Sequence, residues 1–297
     1  MAGTQRIFKQ KIRATATLEK VFRAMELIAA SRIGKARDRA LGQDPYTRAL
    51  TASISLVASH AHAEHPLVTE RTDTNRVIVF VVTADRGMAG AYSSSVLREA
   101  DALMARLREE GKEPVLFVSG RRGESYYRFR GVEVAKSWTG ESDKPSDETT
   151  IEIANMFLEL FLAKAEDGGV GELHVVSTRF VSMVTQTVEV RRMLPLIVVD
   201  ADDDDDDDEQ MPLYEFEPSA QEVFDGLLPL YISQRIGSVL LMAAAAELAA
   251  RQQAMHSATE NAQELIEKYT RLANNARQAE ITTEITEIIS GADALGK

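Results

Sequence analysis

The chain contains no cysteine, which excludes disulfides, thiolate metal sites, cysteine nucleophiles and thiol redox switches. Long hydrophobic runs are missing too. The longest, Val77–Val82 and Val239–Ala246, fall far short of the roughly 20 residues that cross a bilayer, so no transmembrane span is expected. Met1–Ala14 carries four basic residues but no apolar stretch and no small-residue cleavage site after them, so no secretory signal is expected and a cytoplasmic protein is read. No proline follows Pro229 and no glycine lies between Gly237 and Gly291. Past Gly237 the strongest helix breakers are therefore absent until Gly291, and nothing obvious is expected to interrupt a helix from about Asp225 to Ile289. With 44% hydrophobic residues in 297, the chain can build one large or two modest cores.

What fills that breaker-free stretch is a repeat of 3 and 4. Leu241, Ala244, Leu248, Arg251, Met255, Ala258, Ala262, Leu265, Tyr269, Leu272, Ala276 and Ala279 fall at coiled-coil spacing, broken only by Arg251. At about 1.5 Å per residue the helix would be a rod of roughly 100 Å. A compact globule of this length has a radius of gyration of only about 19 Å, so the rod is expected to project from its domain. Phe22, Met25, Ala29, Ile33, Ala36 and Ala40 form a second seam, with one extra residue between Ala29 and Ile33 that relaxes the supercoil. One helix enters the middle of the chain and the other leaves it, so the two should run antiparallel. Alanines at many seam positions let the axes approach closely.

Charge is segregated. Residues 6 to 39 hold ten bases against Glu19, Glu26 and Asp38, whereas residues 200 to 222 hold twelve acids, including the run 202 to 208, and no base. The net charge of −12 therefore comes from one segment. The basic first helix points to an anionic partner, nucleic acid or an acidic protein surface. The aspartate run lacks the glycine and fixed spacing of a calcium loop and reads as a solvated loop.

Between the helices the pattern changes. Pro45 marks a kink or helix start, and Leu50, Ile54, Val57 and Ala61 continue a helical stripe. Arg76–Thr83, Pro114–Gly120, Glu172–Phe180 and Thr187–Val199 read as strands. Tyr92–Glu110, Arg121–Phe129 and Thr149–Glu166 read as helices. Alternating strands and helices predict an α/β layer with a largely parallel sheet. The domain boundaries are placed at 1–65, 66–218 (acidic loop 200–210) and 219–297.

Candidate chemistry is thin. Thr83–Tyr92 (TADRGMAGAY) joins a strand to a helix but matches no phosphate-binding loop and lacks its lysine, so it reads as a tight turn at the edge of the sheet. His60, His62 and His65 have only Glu64 nearby and read as a solvated helix end rather than a metal site. No triad or elbow is present. No catalytic, cofactor or metal residue is assigned.

Two features of the helices stand out. Arg251 occupies a seam position, snorkelling outward or serving a partner. Asn275–Gly291 carries Arg277, Gln278, Thr282, Glu284 and Glu287 on faces away from Ile281, Ile285 and Ile288. Arg277-Gln278-Ala279, Ile281-Thr282 and Glu284-Ile285-Thr286-Glu287-Ile288-Ile289-Ser290-Gly291-Ala292 closely resemble the C-terminal signature of the gamma subunit of bacterial F-type, proton-translocating ATP synthase. Lys20–Ala30 with Ser31-Arg32 resembles that family's first-helix block, and Asp85-Arg86-Gly87 with Gly90 its strand-turn motif. Glu247, Arg251, Ala254-Met255, Ala258 and Asn261-Ala262 also match. Phe22, Gln252 and Ala89 depart from the family pattern, and the aspartate tract looks like an addition to it.

The resemblance implies an α/β fold in which N- and C-terminal helices form a long antiparallel coiled coil on a Rossmann-like domain. It implies a rotor without catalysis or cofactors of its own, inside a ring of three alpha and three beta subunits. Epsilon and the membrane c-ring would be gripped by the foot, and delta belongs to the same complex. The chain would be peripheral on the cytoplasmic side of the plasma membrane, coupling proton flow to ATP synthesis and regulating ATPase activity. By residue-wise matching, Arg251 and Gln278 would meet a beta-subunit loop, with Arg23, Met25, Thr282 and Glu284 supporting nearby contacts. Without the resemblance, a nucleic-acid-binding protein with a basic coiled-coil arm is the alternative. It is weakened by eight acids against five bases in Asp225–Ser290 and by the absence of interleaved aromatics.

Overall fold

A computed structural model describes residues 2–42, 44–61, 69–196, 217 and 219–295. The aspartate tract, His62, His65 and residues 197–199 lie outside the described residues, as does the side chain of His60. The chain divides into two compact units, residues 1–30 with 251–297, and residues 31–250. This division cuts through both terminal helices.

The larger unit is built on a five-stranded sheet in the order β3-β2-β1-β4-β5. The strands are β1 (Arg76–Val82), β2 (Glu113–Ser119), β3 (Lys136–Trp138), β4 (Glu172–Phe180) and β5 (Gln186–Leu194). Four are parallel and β5 is antiparallel to β4. β1 is central and almost continuously buried, which is why its sequence RVIVFVV is an unbroken apolar run rather than an alternating one. β3 was not legible in the sequence, because three residues are too few to show a period.

Helices cover both faces. On one face α3 (Tyr92–Glu109) and α4 (Arg121–Phe129) pack Val96, Leu103, Leu107 and Tyr127 against Val77, Val79 and Val81. On the other face lie α2 (Asp44–Ala61), α5 (Asp147–Leu162) and the first part of α6 (Ala220–Leu295), around Phe80, Phe117, Trp138 and Phe157. α5 starts two residues before the expected Thr149 because Ser146 caps it, its hydroxyl accepting from Thr149 N at 3.2 Å, with Asp147 and Glu148 in the positive first turn. It ends earlier than expected, at Leu162, where Ala163 turns extended before a short 3-10 helix, Ala165–Asp167.

α6 begins upstream of Asp225 and takes Pro229 into its interior. Contrary to the expectation from uninterrupted runs, one helix among the described residues, within Asp225–Ser290, is long and apolar enough to cross a membrane by length and composition. Its alanines and aliphatic residues keep the average apolar even though polar residues break up every single run. Leu228, Ile232, Ile236, Leu240 and Ala243 of that helix are buried in the domain core.

The turn after β1 also differs from expectation, since it follows the central strand and not a strand at the edge of the sheet. Asp85 organises it. Its carboxylate accepts from the backbone N–H of Arg121 (3.1 Å), Gly140 (2.8 Å) and Ser142 (2.9 Å). Burial pushes this carboxyl up, but those N–H groups and the Ser142 hydroxyl outweigh it and hold the pKa below the ordinary value. Two tight approaches complete the turn. Gly120 has φ 97°, and a Cβ there would lie 2.2 Å from Thr83 O. Tyr92 Oη donates to Ala243 O of α6 at 3.1 Å, and Ala89, where the resembled family often has cysteine, is buried with Ala84 and Ala246.

Candidate functional site

All six contact residues implied by the resemblance fall in the smaller unit, residues 1–30, which include most of α1 (Ala2–Gly42), and the last 47 of the chain. Phe8 stacks on Tyr269 with centroids 6.3 Å apart, Gln263 donates to Glu19 at 3.2 Å, and Glu26 meets His256 at 2.9 Å. Rising numbers on α1 meet falling numbers on α6, so the pair is antiparallel. Lys11 lies 5.4 Å over the Tyr269 ring.

The α1 seam is where its spacing predicts, with Ala29 buried and Phe22 and Met25 half-buried. On α6 the expected seam holds through Arg251, Met255 and Ala262, then moves. Ile266, Tyr269, Ala273 and Ala276 face inward, while Leu265, Leu272 and Ala279 are exposed. Thr259 is buried four residues after Met255, an extra residue in the 3-and-4 repeat, and such an insertion rotates the stripe around the helix.

The six candidates separate into two bands. Arg251 and Gln278 share one helix and lie about 40 Å apart at about 1.5 Å per residue. The antiparallel register places Arg23 and Met25 near the Arg251 end, with Thr282 and Glu284 beyond Gln278. A single small loop does not span that distance. Arg251 is only 7% exposed, so it does not snorkel outward. Arg23, Gln278, Thr282 and Glu284 are exposed, and the Thr282 hydroxyl donates to Gln278 O at 2.9 Å within its own helix.

The sequence reading missed how much apolar surface stays outside the seam. Ile285, Ile288 and Ile289 are 51%, 71% and 58% exposed, and Ile281 is exposed beside them. From Glu284 to Ser290 every side chain is exposed. On α1, Ile7, Leu18, Val21, Leu27 and Ile28 also face outward. The available signal was phase: these residues recur off the seam, giving α1 two apolar sides. Large apolar groups on a slender helix pair mark a surface that another protein covers. Among the described residues no cluster of histidine and carboxylate side chains could hold a metal ion.

An antiparallel helix pair with large apolar side chains turned outward, in a chain that also builds an α/β unit, defines a protein whose coiled coil is made to be covered by a partner. The family model described as ATP synthase matches residues 4–295. A protein of Beutenbergia cavernae named ATP synthase gamma chain is 61% identical over 295 residues, covering 99% of each chain. Another of that name from an Arthrobacter species is 53% identical over 295 residues, again covering 99% of each. Among solved structures, a chain of the Euglena gracilis mitochondrial ATP synthase (OSCP, F1 and c-ring) superposes with a TM-score of 0.69 at 13% identity. The match covers 99% of this chain and 95% of that one, and it speaks for the fold alone.

The chain belongs to the family of ATP synthase gamma chains. It is a non-catalytic, rotor subunit of that membrane-bound complex. None of these relatives supports the nucleic-acid arm that the basic first helix left open.

Proposed function

We propose that this chain is the central shaft of a bacterial proton-translocating ATP synthase, one copy inside a ring of three alpha and three beta subunits. The observation that carries the reading is the outward apolar face of the small unit, above all Ile281, Ile285, Ile288 and Ile289. Covering the part of one such side chain that is still exposed is worth about 1–2 kcal/mol, so a surrounding ring gains by enclosing all of them. The α/β unit would contact epsilon and the c-ring, with delta elsewhere in the complex and the assembly on the cytoplasmic side of the plasma membrane. A rod with different side chains on its different sides interacts unequally with otherwise equivalent ring subunits. Only such differential interaction shifts their conformational populations, and rotation driven by proton flow carries that bias around the ring.

In this reading Gln278, Thr282, Glu284 and Arg23 touch the ring directly. Arg251 and Met25 face the seam and act through the geometry of the helix pair. The two bands imply two contact zones along the shaft. Arg251→Ala and Gln278→Ala should each impair coupled synthesis in membrane vesicles while leaving the chain folded.

The test is native mass spectrometry of the complex purified through a tag on this chain, with ATP hydrolysis assayed on the same sample. One copy with three alpha and three beta subunits and an ATPase activity absent from the isolated chain supports the reading. A lone chain or homodimer, or one carrying nucleic acid, overturns it.

A further inference from the structure

The α/β unit also carries a groove that no residue assigned to the rotor role lines. Between α3 and α4 lies a groove of about 660 Å³, within the roughly 300–1,000 Å³ of small-molecule sites. Three arginines line it, Arg98, Arg122 and Arg130, against one acid, Asp101. Asp101 is already committed: it accepts from Tyr126 Oη at 2.6 Å and from Arg130 at 3.0 Å. Arg130 also lies 4.7 Å from the Tyr126 ring centroid, so it serves to fix that ring. Arg122 has no ion pair among the described residues, and Arg98 has only Glu99 at 4.0 Å with 75% of its side chain exposed. Two guanidinium groups therefore face the groove without a close carboxylate, in a chain whose net charge is −12.

The groove also has an aromatic wall. Phe129 is 93% exposed, the most exposed large apolar side chain among the described residues, and Tyr126 lies in the same lining. Serine hydroxyls from the first turn of α3 complete the polar side. Guanidinium forks match phosphate oxygens, and flat aromatic side chains accept a stacked base for about 1–3 kcal/mol. A ligand needs both a flat ring and strongly anionic oxygens to satisfy this lining, and a simple cation or a neutral polyol has neither.

We propose that the α3–α4 groove binds a nucleoside diphosphate or triphosphate, with the base against Phe129 and Tyr126 and the phosphates on Arg98 and Arg122. The site lies beside the turn after β1 and not over it, which is consistent with the absence of a phosphate-loop motif there. It is a binding site and not a catalytic one, since its single carboxylate is held by Tyr126 and Arg130.

Calorimetric titration of ADP into the purified full-length chain, free of other subunits and their nucleotide sites, tests this. One ADP should bind per chain, and Arg122→Ala and Phe129→Ala should each weaken it at least tenfold. Pyrophosphate should bind at least tenfold more weakly than ADP because it lacks the base. Both substitutions remove side chains that line an open groove, and superimposable circular-dichroism melts would show that the fold is kept. No binding at millimolar ADP, or binding unchanged in both variants, overturns the proposal. Pyrophosphate binding as tight as ADP would reduce the groove to a plain anion patch and overturn the nucleotide assignment. None of these outcomes bears on the rotor reading.

Discussion

The two compact units solve the problem of apolar surface in opposite ways. In the α/β unit, Phe80, Phe157, Phe161, Ile153 and Leu173 are fully buried by the chain itself. In the helix-pair unit the buried positions are mostly small, Ala29, Ala262 and Ala273 beside Met255, while isoleucines and leucines face solvent. One unit holds the stability and the other presents surface. Residues of the same chemical type therefore mean different things in the two units: a core isoleucine concerns folding and a stem isoleucine concerns a partner.

Breaking the self-sufficient unit should give the largest effect on the isolated chain. Phe157 packs edge-on to Phe80 and Phe117, with centroids 5.2 and 5.1 Å away. Phe157→Ala should cost about 3–5 kcal/mol, read from denaturant unfolding. Gly120→Ala follows, because its φ of 97° and the approach of Thr83 O leave no room for a Cβ. Strain of roughly 1–3 kcal/mol is expected, seen as a lower thermal midpoint.

The stem should behave in the reverse sense. Ile285→Asp combined with Ile288→Asp should leave unfolding of the isolated chain within about 0.5 kcal/mol of wild type. The same pair should abolish coupled ATP synthesis in membrane vesicles. Equal loss of stability and function would erase the distinction between the units.

The smallest effect concerns pH. Burial lowers the pKa of His174, outweighing Glu172 2.7 Å away, so the folded imidazole stays neutral where the unfolded one takes a proton. A depressed folded pKa contributes stability above the unfolded value of about 6.5 and loses it as pH falls. The thermal midpoint should therefore decline below about pH 6.5, and His174→Gln should flatten that part of the curve. Asp85 adds a further loss only well into acid, its ordinary value of 3.8 being lowered in the fold.

Much of this was legible because local period and global role agree. β1 announces a strand through its unbroken Val-Ile-Phe run, though its central place in the sheet was not read, and the α1 seam from Phe22 to Ala40 sits where its spacing places it. The miss on α6 has a physical cause. After Ala262 both a Leu265–Leu272 stripe and an Ile266–Tyr269–Ala273 stripe satisfy the repeat, and only the register with Phe8 and Glu19 selects the second. Asp85 was read as part of a turn, because its partners Gly140 and Ser142 are distant in sequence and no local pattern reveals them. The six contact residues came from resemblance and not from periodicity, and their separation into two bands needed the helix register.

The most direct test of the account uses the absence of cysteine, which makes any introduced thiol unique. Ile285→Cys, Leu265→Cys and, as a control on the α/β unit, Val184→Cys, 77% exposed in the isolated chain, would be labelled with a maleimide in the free chain and in the purified complex. The account predicts fast labelling of all three in the free chain and at least tenfold protection of Ile285→Cys on assembly. Equal labelling of Ile285→Cys in both states would mean that nothing encloses the stem, and would contradict the shaft reading.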